Sequence, residues 1–107
     1  MKLVAYLRVS TDRQAEEGLG LDVQRRTIQA WAKAQGHRIV RWYSDEGVSG
    51  SNGLESRVGL HDALATVRGH ETAGVVVYRL DRVARDLVLQ EQLLAEVRRL
   101  GGDVFST

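Results

Sequence analysis

Short, uninterrupted apolar runs alternate along this 107-residue chain with stretches in which apolar residues recur at helical spacing. An apolar run without polar interruptions is typical of a strand covered on both faces, and a recurrence every three to four residues indicates a helix. The predicted strands cover 3–7, 39–43, 75–78 and 104–106. Because strands that alternate with helices form parallel sheets, the sequence predicts an α/β fold with a mainly parallel central sheet of about four strands, flanked by helices.

Three predicted helices connect these strands, and each ends near a glycine that can act as a C-terminal cap. Their apolar faces carry Leu21, Ile28, Trp31 and Ala32, then Leu60, Ala63, Leu64 and Val67, and finally Leu89, Leu93, Val97 and Leu100. The capping glycines are Gly36, Gly69 and Gly101. The segment 45–53 is rich in glycine and serine, so we expect a mobile loop there.

Composition excludes several classes of function. The chain has no cysteine, which rules out disulfides, zinc ribbons and thiol catalysis. No apolar stretch approaches the roughly 20 residues of a membrane span, so we expect a soluble, intracellular protein. The net charge of +1 is too small for DNA binding by bulk electrostatics alone. All 15 basic residues except Lys2 and Lys33 are arginine, which suits phosphate oxygens, although a GC-rich genome would produce the same bias.

Polar residues follow three of the predicted strands at the point where each strand ends. Arg8 and Ser10 follow the first strand, and Asp45 follows the second. Asp81 and Arg82 follow the third. In parallel sheets, ligands bind beyond the carboxyl ends of the strands, so we expect these residues to lie close together.

Ser10 needs a partner before it can act as a nucleophile, because a serine hydroxyl is weakly reactive until a neighbouring group activates it or stabilises the product of its attack. The histidines His37, His61 and His70 lie on or beside predicted helices without the spacing of a metal site. The G-x-S-x-G motif is absent, which argues against a Ser-His-Asp hydrolase. Complete dinucleotide-binding and P-loop motifs are absent too.

Phosphoryl transfer fits the arginines better, since such sites mainly position an in-line attack and offset charge on the phosphate oxygens. Arg82 and Arg85 are three residues apart, so on a helix they would share one face. Arg8 and Arg57 could approach from other loops. A serine surrounded by these arginines would form a metal-free phosphodiester site, whereas any single arginine could equally be a solvated surface charge.

Five motifs together resemble the resolvase, invertase and serine integrase superfamily of site-specific DNA recombinases. Residues 6–11, Tyr-Leu-Arg-Val-Ser-Thr, are similar to its opening Y-x-R-V-S-T, and 21–24 resemble its L-x-x-Q. Residues 45–50 resemble its D-x-G-x-S-G loop, and Arg57 occupies the place of an arginine that opens the next helix. Residues 80–86 closely resemble L-D-R-[LV]-[AGS]-R-[DS]. The motifs occur in order and at the expected spacings over essentially the whole chain, which makes the resemblance specific.

The resemblance implies a mechanism in which Ser10 attacks a DNA phosphodiester, forms a 5′-phosphoserine link and releases a 3′-hydroxyl. It implies that Arg8, Arg57 and Arg82 hold the scissile phosphate. It also implies that Arg85 assists the leaving 3′-oxygen.

Four further residues receive roles from the resemblance, Asp81 as a catalytic residue and the other three as supporting ones. Asp81 would orient an arginine or assist the serine. Gln24 and Asp45 would hold the site together, and Tyr6 would contribute packing and orientation more than chemistry. Because the covalent link conserves bond energy, neither ATP nor an obligatory metal nor any other cofactor is implied.

Partners and organisation also follow from the resemblance. It implies double-stranded DNA attachment or crossover sites, dimers and tetramers of the full-length protein, and an accessory directionality factor as a further candidate. It places the protein in a prokaryotic cytoplasm, encoded by a phage or mobile element, without membrane contact. We expect residues 1–107 to be one catalytic domain that stops before a subunit-contact helix and a DNA-binding domain. The chain departs from the family pattern at Gly20, where a helix-capping serine is frequent, and at Val58, where many integrases have proline.

Two other functions stay open on the sequence alone. A non-catalytic relative could act as a scaffold or regulator of a DNA complex, although such a protein has no need of Ser10 and the arginines. An unrelated doubly wound domain could bind a small phosphorylated ligand, and it would show saturable nucleotide binding without a DNA adduct.

Overall fold

Strands and helices alternate through the computed structural model of the chain, which describes residues 1–9, 20–47 and 53–107. The elements are β1 (Lys2–Val9), α1 (Leu21–Gln35), β2 (Arg38–Glu46), α2 (Val58–Arg68), β3 (Gly74–Val77), α3 (Leu80–Val83), α4 (Leu87–Arg99) and β4 (Asp103–Ser106). A short 3-10 helix, Leu54–Ser56, precedes α2. Within the described ranges, no helix has the length and apolarity needed to cross a membrane.

The four strands form one sheet in the order β2-β1-β3-β4, and every neighbouring pair is parallel. This arrangement confirms the predicted α/β fold. The chain leaves β1 toward β2 and then crosses back to β3 on the other side of β1. In such sheets a crevice opens where the strand order reverses, here beyond the carboxyl ends of β1 and β3.

Both faces of the sheet are covered, which explains why the strands contain continuous apolar runs instead of alternating ones. On one face, Val4, Tyr6, Val75 and Val77 pack against buried residues of α2 and α4. On the other face, Leu3, Ala5, Leu7 and Val76 pack against Ile28 of α1. The predicted helical faces are confirmed, because Ile28, Leu60 and Leu93 are all fully buried.

The predicted helix ends are also confirmed. Gly36 ends α1 in the left-handed region, with φ 75°, where a residue without a Cβ is favoured. Gly69 ends α2, and Gly101 follows α4. The N-terminus of α4 is capped by Asp86, whose carboxylate accepts a hydrogen bond from the Leu89 N–H at 2.8 Å.

The predicted loop at 45–53 begins later than expected. β2 continues to Glu46, which pairs in register with Val9 of β1, so Asp45 and Glu46 belong to a strand. Backbone pairing with β1 therefore continues past the apolar part of β2. Residues 48–52 of the predicted loop lie outside the described residues.

The expectation that Arg82 and Arg85 share one helix is wrong. α3 ends at Val83, and α4 begins only at Leu87. Between them, Ala84 has an extended backbone with φ −134° and ψ 112°, which interrupts the helix. Arg85 therefore lies in the connection between two helices.

Candidate active site

The predicted site residues that the structure describes lie at the carboxyl edge of the sheet. Arg8, near the end of β1, pairs in register with Asp45 of β2. Arg82 lies on α3, directly after β3, and Arg85 follows α3. These positions confirm the predicted convergence of three strand ends at one edge. Ser10, the predicted nucleophile, lies outside the described residues and is the next residue after β1 in the sequence.

Arg8 connects β1 to the segment that follows β3. Its side chain is buried, with 4% of its surface exposed, and its Nε donates a hydrogen bond to the main-chain oxygen of Arg82 at 2.8 Å. The main-chain oxygen of Arg8 accepts a hydrogen bond from Nε2 of the buried Gln24 at 3.0 Å. Arg8 therefore joins β1 to both α3 and α1, and the Gln24 side chain binds the main chain near the end of the strand.

Arg57 binds the next carbonyl along the same segment. It is the N-cap residue of α2, its side chain is completely buried, and its Nη1 donates to the main-chain oxygen of Val83 at 2.6 Å. Carbonyls at the end of a helix lack intrahelical partners and favour positive charge. Two buried guanidinium groups thus bind two successive carbonyls at the end of α3. Such complete burial favours a positioning role for Arg57 over a direct contact with a phosphate.

Asp45 connects three elements through one carboxylate. Its Oδ2 accepts a hydrogen bond from the Tyr6 hydroxyl at 2.7 Å and from the Leu60 N–H at 3.1 Å. Its Oδ1 accepts one from the Gly59 N–H at 2.8 Å. The Arg57 side chain makes no capping hydrogen bond to α2, so Asp45 of β2 supplies the acceptors for the first turn.

Tyr6 is fully buried beside this carboxylate. Burial, and then the hydrogen bond and negative charge of Asp45, raise the pKa of Tyr6, while the positive charge of Arg57 opposes the shift. Tyr6 therefore remains a protonated hydrogen-bond donor at neutral pH. This state suits the supporting role that the sequence indicated.

Three charged residues at this edge are exposed. Asp81 and Arg82 lie on α3, and Arg85 lies in the connection to α4. Their exposure contrasts with the burial of Arg8 and Arg57. Among the described site residues, the side chains of Asp81, Arg82 and Arg85 are therefore the ones accessible to a large substrate.

Gly59 is a residue of the candidate site that none of the sequence motifs indicates. A Cβ at this position would overlap the main-chain oxygen of Ser44, so only glycine lets the first turn of α2 approach β2 closely enough to reach Asp45. A glycine inside an otherwise helical pattern is the sequence signal that could have indicated this close approach. No sequence signal indicates that Val83 accepts a hydrogen bond, because the acceptor is its main-chain oxygen.

Within residues 1–9, 20–47 and 53–107, no group of three or more histidine, aspartate and glutamate side chains could hold a metal ion. The metal independence implied by the resemblance stays a prediction.

Comparison with known proteins decides the family. A family model described as the N-terminal domain of resolvase matches residues 3–107. The chain belongs to the resolvase family of serine recombinases.

Solved structures support this membership of the resolvase family. The N-terminal catalytic domain of TP901-1 integrase superimposes with a TM-score of 0.82 and 27% sequence identity, over 99% of this chain and 76% of that one. A resolvase family site-specific recombinase from Streptococcus pneumoniae gives a TM-score of 0.76 and 28% identity, over 97% of this chain and 70% of that one. The family resemblance read from the motifs is thereby confirmed.

A curated relative of this resolvase domain is a much longer protein. A Bacillus subtilis (strain 168) protein named "Putative DNA recombinase" is 34% identical over 97 residues, which is 91% of this chain. The chain spans 18% of the length of that relative.

Proposed function

We propose that this chain is the catalytic domain of a serine site-specific recombinase, which cleaves and rejoins double-stranded DNA through a covalent phosphoserine. The strongest support is the pair of buried arginines, Arg8 and Arg57, that bind consecutive carbonyls of α3. These contacts place the exposed Arg82 beside the end of β1, the strand that leads directly to Ser10. A binding module without chemistry would have no need to hold an exposed arginine at the end of this strand.

The proposed cleavage is an in-line displacement at phosphorus. The Ser10 hydroxyl loses its proton to Asp81 or to water, its oxygen forms a bond to phosphorus, and the bond from phosphorus to the 3′-oxygen breaks. The 3′-oxygen takes up one proton, so the number of protons is unchanged overall. The reverse attack by a 3′-hydroxyl releases Ser10 and reseals the strand. Since each step exchanges one phosphodiester for another, no ATP and no other cofactor is required.

The arginines supply the charge stabilisation that this reaction requires. Exposed Arg82 binds the non-bridging phosphate oxygens, and Arg85 donates a hydrogen bond to the leaving 3′-oxygen. Arg8 contributes charge from its buried position at the end of β1. Arg57 acts mainly by holding α3 in place, since its side chain is fully enclosed.

The proposed substrate is a pair of duplex attachment or crossover sites. Exchange between two duplexes requires four strand cleavages and therefore four serine nucleophiles, so recombination needs four copies of this domain in a tetramer assembled from dimers. A directionality factor and a prokaryotic cytoplasmic location are part of the same proposal.

The test of this proposal is a covalent adduct between the protein and DNA. The purified protein is incubated with duplex DNA carrying its own attachment site, quenched in denaturant, and analysed by denaturing gel and peptide mass spectrometry. We expect a phosphodiester-linked nucleotide on Ser10 that Ser10→Ala abolishes. Ser44→Ala, at an exposed serine of β2, is the matched control and should retain the adduct. Absence of any adduct while DNA binding is intact would favour the non-catalytic scaffold.

A further inference from the structure

A row of polar and basic side chains runs along the exposed face of α1. Arg26 and Lys33 are seven residues apart, so two helical turns align them, and Gln29 lies between them. All three residues are exposed. The row covers about 10 Å along the helix axis. Asp22 lies in the first turn, where its negative charge favours the N-terminus of the helix.

Arg25, next to this row, contacts Trp42 of β2. Its guanidinium carbon lies 4.6 Å from the centre of the indole ring, within the range of a cation–π interaction. A guanidinium that stacks through its flat face keeps the N–H groups at its edge available for phosphate oxygens. Arg25 is exposed and Trp42 is half-buried, so this stacked pair belongs to the surface.

A surface groove of about 300 Å³ connects the row to Trp42. Its walls include Gln29 and Lys33 from α1, and Ile39 and Trp42 from β2. The basic row and the stacked pair are therefore parts of one surface, which we call the α1–β2 basic surface and which consists of Arg25, Arg26, Gln29, Lys33 and Trp42.

The α1–β2 basic surface begins next to the candidate active site. Gln24, which donates to the main-chain oxygen of Arg8 at 3.0 Å, is adjacent to Arg25 in α1. Trp42 precedes Asp45 by three residues in β2, a distance of about 10 Å along a strand. A substrate held at the end of β1, where Arg8 pairs with Asp45, thus has Trp42 of this surface about 10 Å away.

On the opposite face of the sheet, Arg99 is less available to an anion than the basic residues of α1. There Arg99 forms an ion pair with Glu96 of the same helix at 2.5 Å. Within the described parts of the chain, neither Arg26 nor Lys33 forms an ion pair. Since the whole chain carries a net charge of only +1, the positive charge of α1 is a local feature.

We infer that Arg25, Arg26 and Lys33 bind the sugar-phosphate backbone of duplex DNA beside the cleaved phosphate. This inference rests on the proposed function and adds a surface that none of the recombinase motifs includes. One strand of duplex DNA presents a phosphate about every 3.4 Å along the axis, so a row of about 10 Å matches about three phosphates. Backbone contacts fix the position of a duplex without reading its sequence. The α1–β2 basic surface therefore orients the DNA arm that leads away from the scissile bond.

The test measures binding of a labelled duplex of about 30 base pairs by fluorescence anisotropy, between about 50 and 200 mM salt. Each lost phosphate contact reduces the slope of log K against log salt by about 0.9. Arg26→Gln with Lys33→Gln should therefore flatten the slope by about 1.8 and weaken binding several-fold at the lowest salt. The matched control, Arg68→Gln with Arg98→Gln, removes the same charge from exposed positions on α2 and α4 and should change affinity less than about twofold. Trp42→Leu should reduce the slope by about 0.9, because Arg25 would no longer be held over the indole ring and about one phosphate contact would be lost.

Two results would overturn the inference: an unchanged slope in the Arg26 and Lys33 variant, or equal weakening in the control pair, which would mean a response to bulk charge. Urea unfolding shows whether each variant is folded, and the exposed positions should unfold like the unmodified protein. The measurement does not depend on cleavage, since Ser10→Ala should bind the duplex normally. Loss of the adduct and loss of this binding surface are therefore separate outcomes.

Discussion

The hydroxyl of Tyr6 and the carboxylate of Asp45 lie 2.7 Å apart on neighbouring parallel strands, although 39 residues separate them in the chain. The same carboxylate accepts the N–H groups of Gly59 and Leu60 and so determines where α2 begins. Arg57 is the N-cap residue of α2. The position of the buried Arg57 guanidinium therefore depends on the Asp45 carboxylate, which is itself buried.

Replacement of the Asp45 carboxylate should therefore destabilise the fold. Asp45→Asn keeps one acceptor oxygen, but its NH₂ group would replace an oxygen that accepts hydrogen bonds and would face N–H or O–H donors. We therefore expect the free energy of unfolding to fall by about 2–4 kcal/mol. Asp62→Asn, at an exposed position of α2, should change it by less than about 0.5 kcal/mol. Urea unfolding at neutral pH measures both, and equal losses would contradict a stabilising role for the Asp45 contacts.

The raised pKa of Tyr6 predicts a loss of stability in alkali. Burial and the Asp45 carboxylate keep the proton on Tyr6 in the folded state at a pH where the unfolded chain has lost it. Above about pH 10, the ordinary pKa of tyrosine, the folded state binds more protons than the unfolded state, so stability falls as pH rises. Below that pH the contribution is fully present.

Tyr6→Phe isolates this effect. At neutral pH the variant loses a hydrogen bond to a carboxylate, which should lower the free energy of unfolding by about 1.5–3 kcal/mol. The difference from the unmodified protein should narrow above about pH 10, because phenylalanine does not ionise. Urea unfolding curves for both proteins at neutral pH and at about pH 10.5 measure it. A difference that is constant across this range would argue against the raised pKa.

Substitution of a buried arginine should mainly lower the stability of the fold, whereas substitution of an exposed arginine should mainly slow the reaction. Arg57→Met removes the partner of the Val83 carbonyl and should lower the free energy of unfolding by about 2–4 kcal/mol. Arg85→Gln, at an exposed position, should change stability by less than about 0.5 kcal/mol but slow adduct formation by about 100-fold or more. Urea unfolding and the initial rate of the Ser10 adduct test this pair. An Arg85 variant that reacts at the normal rate would remove Arg85 from the proposed mechanism.

The close approach of α2 to β2 predicts an unusual response to alanine. Gly59→Ala should destabilise the protein by about 1–3 kcal/mol, because the new Cβ overlaps the Ser44 carbonyl oxygen. Alanine would otherwise favour a helix by about 1 kcal/mol. The comparison variant is Gly20→Ser, where a Cβ meets open space and a capping hydroxyl should add a few tenths of a kcal/mol. Thermal unfolding of the two variants should shift in opposite directions, and a stabilised Gly59→Ala would show that α2 can move away from β2.

Cleavage should proceed without a divalent metal, since arginines offset the phosphate charge in the proposed mechanism. The rate of adduct formation on the attachment-site duplex should be the same in excess EDTA and in millimolar Mg²⁺. A reaction that stops in EDTA and resumes on addition of Mg²⁺ would require a metal site in the mechanism. A parallel DNA-binding measurement in EDTA shows whether the substrate is still bound.

The apolar pattern predicted most of the fold, because strands covered on both faces leave a clear signal. It failed where that signal is weak. Asp45 and Glu46 extend β2 through backbone pairing, although their side chains resemble those of a loop. The single turn of α3 is too short to show a helical period, so the sequence does not indicate that the helix ends between Arg82 and Arg85.

The motifs located the residues of the candidate site, but they could not predict how those residues are held. A charged side chain is normally expected at the surface, and nothing local to Arg57 indicates that it is fully buried. Its partner is a main-chain oxygen 26 residues away, which has no side-chain signature. The role of Ser10 rests on the motifs alone, since the residue lies outside the described ranges.

The contacts of Arg8 and Arg57 with main-chain oxygens have a consequence for protein engineering. A guanidinium that binds a main-chain oxygen makes the same contact whichever side chain the acceptor residue carries. Substitution of Arg79, an exposed residue to which the proposed mechanism gives no role, should therefore change the surface around α3 while the segment keeps its place. For a recombinase of the proposed kind, DNA specificity can therefore be selected at such a position while the contacts of Arg8 and Arg57 are retained.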